Sequence, residues 1–241
     1  MAELAYTRRS LLFWALFPSL MLLLFGLIYA GGSSTAASFN YTAPGILIGA
    51  ALFFSCLGGP IATIVAERER GTLRRLLLTP LSGSSYFAGI LLAYLTIAAG
   101  QTVIVYGIAY AFGGSFRGSL ALGALIVLLS VASYVGLGFF FGSRFARRTE
   151  DVNGPVAAIG VPLLVLGGTF FPPDILPPYL LRLAYFDPIF HMNEALDAVS
   201  AEGAGWSTIT DHLLFLAVFA AVTLALGVRS YRGMLHRERT L

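Results

Sequence analysis

The sequence contains no lysine, and all 15 of its basic residues are arginine. A phosphate-binding loop of the Gly-Lys-Ser/Thr kind is therefore excluded, so any ATP hydrolysis must be supplied by another chain. Charge of either sign is scarce: charged residues fill 11% of the 241 positions, where a soluble domain uses roughly 25%, while hydrophobic residues fill 57%. The single cysteine, Cys56, lies inside an apolar run, which rules out an intrachain disulfide. His191, His212 and His236 are far apart in sequence and none sits in a ligand motif, so neither a metal site nor a cofactor of the chain's own is expected.

What is present is apolar sequence in blocks long enough to cross a bilayer, which needs about 20 residues. Spans are expected at about 11–30, 44–66, 86–112, 120–142, 155–171 and 212–228, giving an all-α integral membrane protein with one transmembrane domain over 1–241. Arg8 and Arg9 before the first run resemble an export signal, but the run exceeds the 7–15 residues of a signal-peptide core. Pro44 fits the first turn of the second span, where its missing N–H costs nothing. Gly138-Phe-Phe-Phe-Gly142 has the GxxxG spacing that lets helices approach closely. Pro162, Gly160, Gly167 and Gly168 predict a kinked fifth span.

Thirteen arginines, at 8, 9, 68, 70, 74, 75, 144, 147, 148, 229, 232, 237 and 239, fall on one side of these spans, and only Arg117 and Arg182 on the other. The positive-inside rule then places both termini in the cytoplasm, for a multi-pass protein of the cell inner (plasma) membrane. The span interiors hold no Asp, Glu, Lys, Arg or His, which argues against proton or sodium antiport and against voltage sensing. Ser55, Ser130 and Ser133 have no histidine at comparable depth to make a nucleophile, so the chain is not expected to be an enzyme. The polar groups left within the spans, Tyr94, Gln101, Tyr106, Tyr110, Ser130 and Tyr134, form a possible substrate path. Packing between helices would account for the same tyrosines.

The stretch 67–80 stands out, because six of the 27 charged residues fall in the nine positions 67–75. Leu73, Leu76 and Leu77 recur at i, i+3 and i+4 with Arg70, Arg74 and Arg75 opposite, the pattern of a short amphipathic helix. Gly71 suits a left-handed cap, Thr72 an N-cap, and Pro80 ends the helix by restricting Thr79. From 172 to 200 the character changes again: prolines at 172, 173, 177, 178 and 188 separate apolar pieces too short to cross. Re-entrant or interfacial helices are expected there, the second starting at Pro188 with Asp187 as its cap.

Glu-Arg-Glu-Arg-Gly-Thr-Leu followed by Thr-Pro-Leu-Ser resembles the signature of ATP-binding-cassette permeases of the ABC-2 exporter type. So does the outer series Gly167-Gly-Thr-Phe-Phe-Pro-Pro, Leu176-Pro-Pro-Tyr-Leu and Phe186-Asp-Pro-Ile, between the last two spans. The resemblance implies a coupling helix, made of Glu67, Arg68, Glu69, Arg70, Gly71, Thr72, Leu73, Arg74, Arg75, Leu76, Leu77, Thr79 and Pro80, which docks on an ATPase. It also implies a re-entrant exit gate before the sixth span, for which Phe171, Pro172, Leu180, Leu183, Phe186, Asp187, Pro188 and Phe190 are the candidates. Leu180, Leu183, Phe186 and Phe190 are expected to form its dry plug. The implied partners are two cytoplasmic ABC ATPase subunits carrying ATP and Mg, a second permease half (a second copy or close homologue) and membrane lipid, with no nucleic acid. The implied activity is export of a hydrophobic or lipid-linked substrate. A non-transporting scaffold that docks a cytoplasmic partner, or a passive channel, would share the same arginine loops.

Overall fold

A computed structural model describes residues 2–70, 83–145 and 150–239, with side chains described for 12–70, 83–145 and 156–236. Among these residues the protein is all-helical: α1 (Ala2–Ala30), α2 (Thr35–Glu69), α3 (Gly83–Ala111), α4 (Leu120–Arg144), α5 (Glu150–Leu166), α6 (Pro178–Ala184), α7 (Pro188–Asp197) and α8 (Trp206–Arg239). Five of them, α1 to α4 and α8, are long and apolar enough to cross a membrane.

The second crossing differs from expectation. It begins at Thr35, where Ser34 accepts the Ala37 N–H at 3.3 Å, so Pro44 lies inside the helix and not in its first turn. A proline there removes one backbone bond and crowds the preceding turn. The chain follows it with a 13-residue π-helical stretch, Ile46–Gly58, whose wider turn is uncommon at this length. Residues 42 to 53 are all buried, so α2 is the central post of the bundle. A helix apolar on every side is buried on every side.

Glycines set how closely the neighbours approach. A Cβ on Gly138 would lie 2.8 Å from the Leu57 carbonyl oxygen, and one on Gly142 3.1 Å from the Ile61 Cα, so the GxxxG face of α4 rests on α2. Gly136 and Gly227 do the same between α4 and α8, where an added Cβ would meet backbone at 2.6 Å from either side. Packing of this kind holds membrane helices together, because lipid removes the hydrophobic drive between them.

The fifth apolar segment also departs from 155–171. Helix α5 has 17 residues, roughly 26 Å of rise against a hydrocarbon core of about 30 Å. Its end is fixed by Gly168 at φ +74°, with Thr169 N–H bonded to Leu164 O (3.0 Å) and Gly168 N–H to Val165 O (3.3 Å). This doubly bonded glycine cap stops the helix before Phe170 and Phe171. Beyond it come a 3-10 turn at Pro173–Ile175, then α6, α7 and a π-turn at Ala198–Glu202, none long enough to cross. The last helix, α8, extends well past 212–228 at both ends.

Candidate functional site

The two ends of the bundle differ in chemistry. At one end the Arg68 guanidinium reaches the Ser143 carbonyl (3.4 Å), and the Ser143 hydroxyl bonds that of Ser230 (2.8 Å), which joins the ends of α2 and α4 to α8. Tyr86, at the start of α3, donates to the Glu67 carboxylate and stacks on Tyr231 with ring centres 5.2 Å apart. Of the charged tetrad, Glu67 and Arg68 are thus turned into the bundle, and Glu69 and Arg70 are exposed at its end. Gly71, Thr72, Leu73, Arg74, Arg75, Leu76, Leu77, Thr79 and Pro80 lie outside the described residues. The tetrad therefore has a half that grips three helices and a half that projects from them.

The expected path residues are not brought together. Gln101 is buried: its Nε2 donates to the Trp14 carbonyl and its Oε1 accepts from Ser55, both at 3.0 Å, so it ties α3 to α1 and α2. Ser130 bonds back to Ile126 O at 2.8 Å, and Tyr134 reaches Ile48 O at 3.3 Å. Tyr94 packs against Trp14 and over Gly59, whereas Tyr110 is 77% exposed on the outside of α3. Tyr106 is half-buried against Phe116. Three of the six, Tyr94, Gln101 and Tyr134, bracket one helix to another, and Ser130 is satisfied within its own, because a polar group in hydrocarbon must find a partner.

At the opposite end the short helices α6 and α7 follow one another across the turn at 185–187 and together make up the hairpin segment. Asp187 caps α7, its Oδ1 accepting the Ile189 N–H at 2.9 Å, with Pro188 at the first position as the spacing predicts. The residue is only 3% exposed, and its other carboxylate oxygen has no hydrogen-bond partner. Burial pushes Asp187 up to about 6, and burial with Glu194 and Glu202 nearby pushes Asp197 up to about 7. Asn193 donates to Gly167 O at 2.6 Å and fastens α7 to the cap of α5. The four-residue plug is not assembled within one chain: Phe190 is buried, Leu180 is intermediate, and Leu183 and Phe186 are exposed, Phe186 at 81%. A seven-residue helix can bury one stripe, and α6 buries the one containing Ala184. Phe171 is exposed, and Pro172 is half-covered beside it.

Two features were not legible in the sequence. His191 and His212, 21 positions apart, meet with Nδ1 atoms 2.9 Å from each other, and the His191 ring stacks on Phe215 at 3.9 Å. Among the described residues no group of three metal-ligating side chains forms. The second is an apolar chamber of about 400 Å³ between α2, α4, α5 and α8, walled by Phe53, Leu57, Phe141, Ile159 and Phe219 and roofed by Pro188 and Ile189. Its residues are apolar members of apolar runs, so only the packing distinguishes them.

A family model described as "ABC-2 type transporter" matches residues 3–200. The chain is 29% identical over 171 residues to the Escherichia coli (strain K12) protein named "Probable multidrug ABC transporter permease YbhR", covering 70% of this chain and 46% of that one. It is 26% identical over 175 residues to the "Linearmycin resistance permease protein LnrN" of Bacillus subtilis (strain 168), covering 73% and 45%. With the "Daunorubicin resistance ABC transporter permease protein DrrB1" of Streptomyces coeruleorubidus it shares 25% over 224 residues, covering 90% and 78%. The chain thus spans about half the length of the first two relatives.

Proposed function

Since the chain belongs to the ABC-2 type transporter family, we propose that it is the permease subunit of an ATP-driven exporter that moves a hydrophobic amphiphile out of the cytoplasm. The observation that carries this reading is the apolar chamber of about 400 Å³. It lies beside the central post, is walled by aromatic and aliphatic side chains with no Asp, Glu, Lys, Arg or His among them, and is roofed by Pro188 and Ile189. An ion would find no charged side chain in the wall, whereas a drug-sized apolar body would find the surface that such ligands need. The buried, unpaired oxygen of Asp187, the residue before Pro188, stands next to the roof. The names of the relatives, which refer to multidrug transport and to linearmycin and daunorubicin resistance, support the same substrate class.

The proposed cycle uses the two ends of the bundle. Residues 67–80 dock on one of two cytoplasmic ATPase subunits. Glu67 and Arg68 pass their displacement to the starts and ends of α3, α4 and α8, because they are bonded to those helices. The hairpin is the exit gate, and the exposed Leu183 and Phe186 meet a second permease half, so the plug is completed between two chains and not within one. An exposed apolar patch of that kind suits a protein partner within the membrane.

The test is reconstitution in liposomes with the nucleotide-binding ATPase that copurifies. ATP-dependent movement of an apolar dye is expected, with Phe53→Trp and Ile159→Trp lowering it about tenfold by filling the chamber while ATPase binding persists. Binding of the ATPase with no nucleotide-dependent dye movement for any apolar probe would favour the scaffold, and dye or ion flux without nucleotide the channel.

A further inference from the structure

A second cavity system lies away from that chamber, between α3 and α4. These helices part toward the hairpin end, where small residues (Ala99, Gly123, Ala124) face one another and leave an open apolar groove of about 620 Å³. It extends along α3 from Leu95 to Tyr106, eleven residue steps or roughly 16 Å of helix rise, about half the thickness of a ~30 Å hydrocarbon core. That is the depth of one leaflet. Phe116, from the loop joining the two helices, folds over the groove's end and sets its ring against Tyr106, centres 5.3 Å apart.

Tyr106 and Phe116 also line a second space, a chamber of about 190 Å³ next to the groove, with a wall of mixed polar and apolar groups. Asn40, Tyr110, Ser115 and Ser200 contribute to its wall. Asn40 is held there by the Ser115 N–H, which donates to its Oδ1 at 2.7 Å. Ser200 is 2% exposed, yet its hydroxyl has no hydrogen-bond partner, and neither has the hydroxyl of Tyr106. The two approach one another without the alignment of a bond. Serines in these helices bond back to the carbonyl four residues earlier, as Ser55, Ser130 and Ser133 do. Ser200 does not, and it is directed into the chamber instead. Tyr106 and Ser200 lie beside one another in this lining, and both hydroxyls keep capacity for an occupant that donates or accepts there.

The charges around the chamber are of both signs. Arg117 is exposed on the loop beside it, its backbone N–H bonded to the Ser200 carbonyl at 2.9 Å. Asp197 precedes Ser200 by three positions, on the same helical face, and one of its carboxylate oxygens is buried without a partner. Glu194 and Glu202 add to its field. A ligand matched to all of this has an anionic group for Arg117, an ammonium with N–H donors for Asp197 and the hydroxyls, and an acyl chain one leaflet long.

We infer that the groove and chamber together bind a zwitterionic aminophospholipid, with one acyl chain between α3 and α4 and the headgroup among Asn40, Tyr106, Ser200, Asp197 and Arg117. The site is separate from the chamber at α2 and α5, and it requires neither the ATPase nor transport. The probe pair is phosphatidylethanolamine and phosphatidylglycerol with identical acyl chains, added to the detergent-purified protein. Native mass spectrometry should show phosphatidylethanolamine retained at least fivefold over phosphatidylglycerol, and it should raise the melting temperature where phosphatidylglycerol does not. Ala99→Trp and, independently, Ala124→Trp fill the groove from the exposed side and should abolish retention of both lipids. Tyr106→Phe with Ser200→Ala keeps the groove and should bring the two lipids to equal retention. Equal retention in the unsubstituted protein, or unchanged retention in both tryptophan variants, would overturn the proposal and leave ordinary annular lipid. Either result leaves the exporter reading standing, since that is tested by nucleotide-dependent flux.

Discussion

At the scale of single residues, the polar groups inside the spans separate into brackets and surfaces. Gln101 is the clearest bracket, satisfied on both sides of its amide by α1 and α2. Interhelical bonds in membranes contribute about 0.6 kcal/mol each and up to about 1.7. Gln101→Leu is therefore expected to destabilise the protein by about 1–2 kcal/mol while leaving the spectrum of transported dyes unchanged. A thermal melt in detergent alongside a dye panel checks both halves, and an altered dye spectrum at unaltered melting temperature would return Gln101 to the substrate path. Gly136 is a steric case. An added Cβ meets the Thr223 and Leu224 backbone at 2.6–2.8 Å, which no rotamer change relieves, so Gly136→Val should cost about 1–3 kcal/mol as overpacking. A variant that melts with the parent would show that α4 and α8 separate easily.

At the scale of elements, the hairpin carries a pH dependence with a defined sign. Asp187 and Asp197 are raised in the folded state, to about 6 and about 7, from a reference of 3.8, mainly by burial. Between pH 4 and 7 the folded hairpin therefore holds protons that the unfolded chain has lost, and its stability is full below pH 4 and falls as pH rises through 6 and 7. Hydrogen exchange of α6 and α7 should accordingly be slower at pH 5 than at pH 8. Asp197→Asn should flatten the upper part of that slope, near pH 7, and leave the part near 6 that belongs to Asp187. Exchange that slows as pH rises, after correction for intrinsic rates, would reverse the assignment. The sequence announces this element well: five prolines and the Asp187-Pro188 pair mark where each short helix begins. It does not announce which stripe of α6 is buried, because seven residues carry too little periodicity to say.

At the scale of the whole molecule, Arg68, Ser143 and Ser230 meet at the end of the bundle opposite to α7, which permits a topological test. Single cysteines placed in a Cys56→Ser background at Ser33 and Ser207 should label from outside intact cells, and those at Thr149 and Thr240 should not. Cys56 is buried, so its removal clears the background without altering the surface. Outside labelling at Thr149 would invert the orientation on which the direction of export rests. The coupling segment is tested in the same assembly. Leu73→Asp, Leu76→Asp or Leu77→Asp should leave membrane insertion intact and uncouple dye export from ATP hydrolysis, since a charge buried in a docking surface costs several kcal/mol. Normal export by all three would reduce the segment to a solvated loop.

Composition and short-range pattern were enough to read an all-helical membrane protein and two separated motifs that match one permease family, with thirteen of the fifteen arginines expected on one side. Each of these depends on local composition or on residues close in the chain, and hydrocarbon thickness turns composition directly into helix length. A helix start was legible where a cap fixes it, as at Asp187, whereas the glycine cap at Gly168 that ends α5 before 171 was not. The start was not legible at Pro44, which lies inside the helix that starts at Thr35, just ahead of the π-helical stretch Ile46–Gly58. Only the tertiary structure decided that Gln101 and Tyr134 are brackets, that His191 meets His212, and that apolar side chains from four helices enclose a chamber. In a chain 57% hydrophobic, an apolar residue facing lipid and one facing a cavity read alike. Which is which depends on crossing angles set by Gly136, Gly138, Gly142 and Gly227, and a crossing angle belongs to pairs of helices, not to either sequence alone.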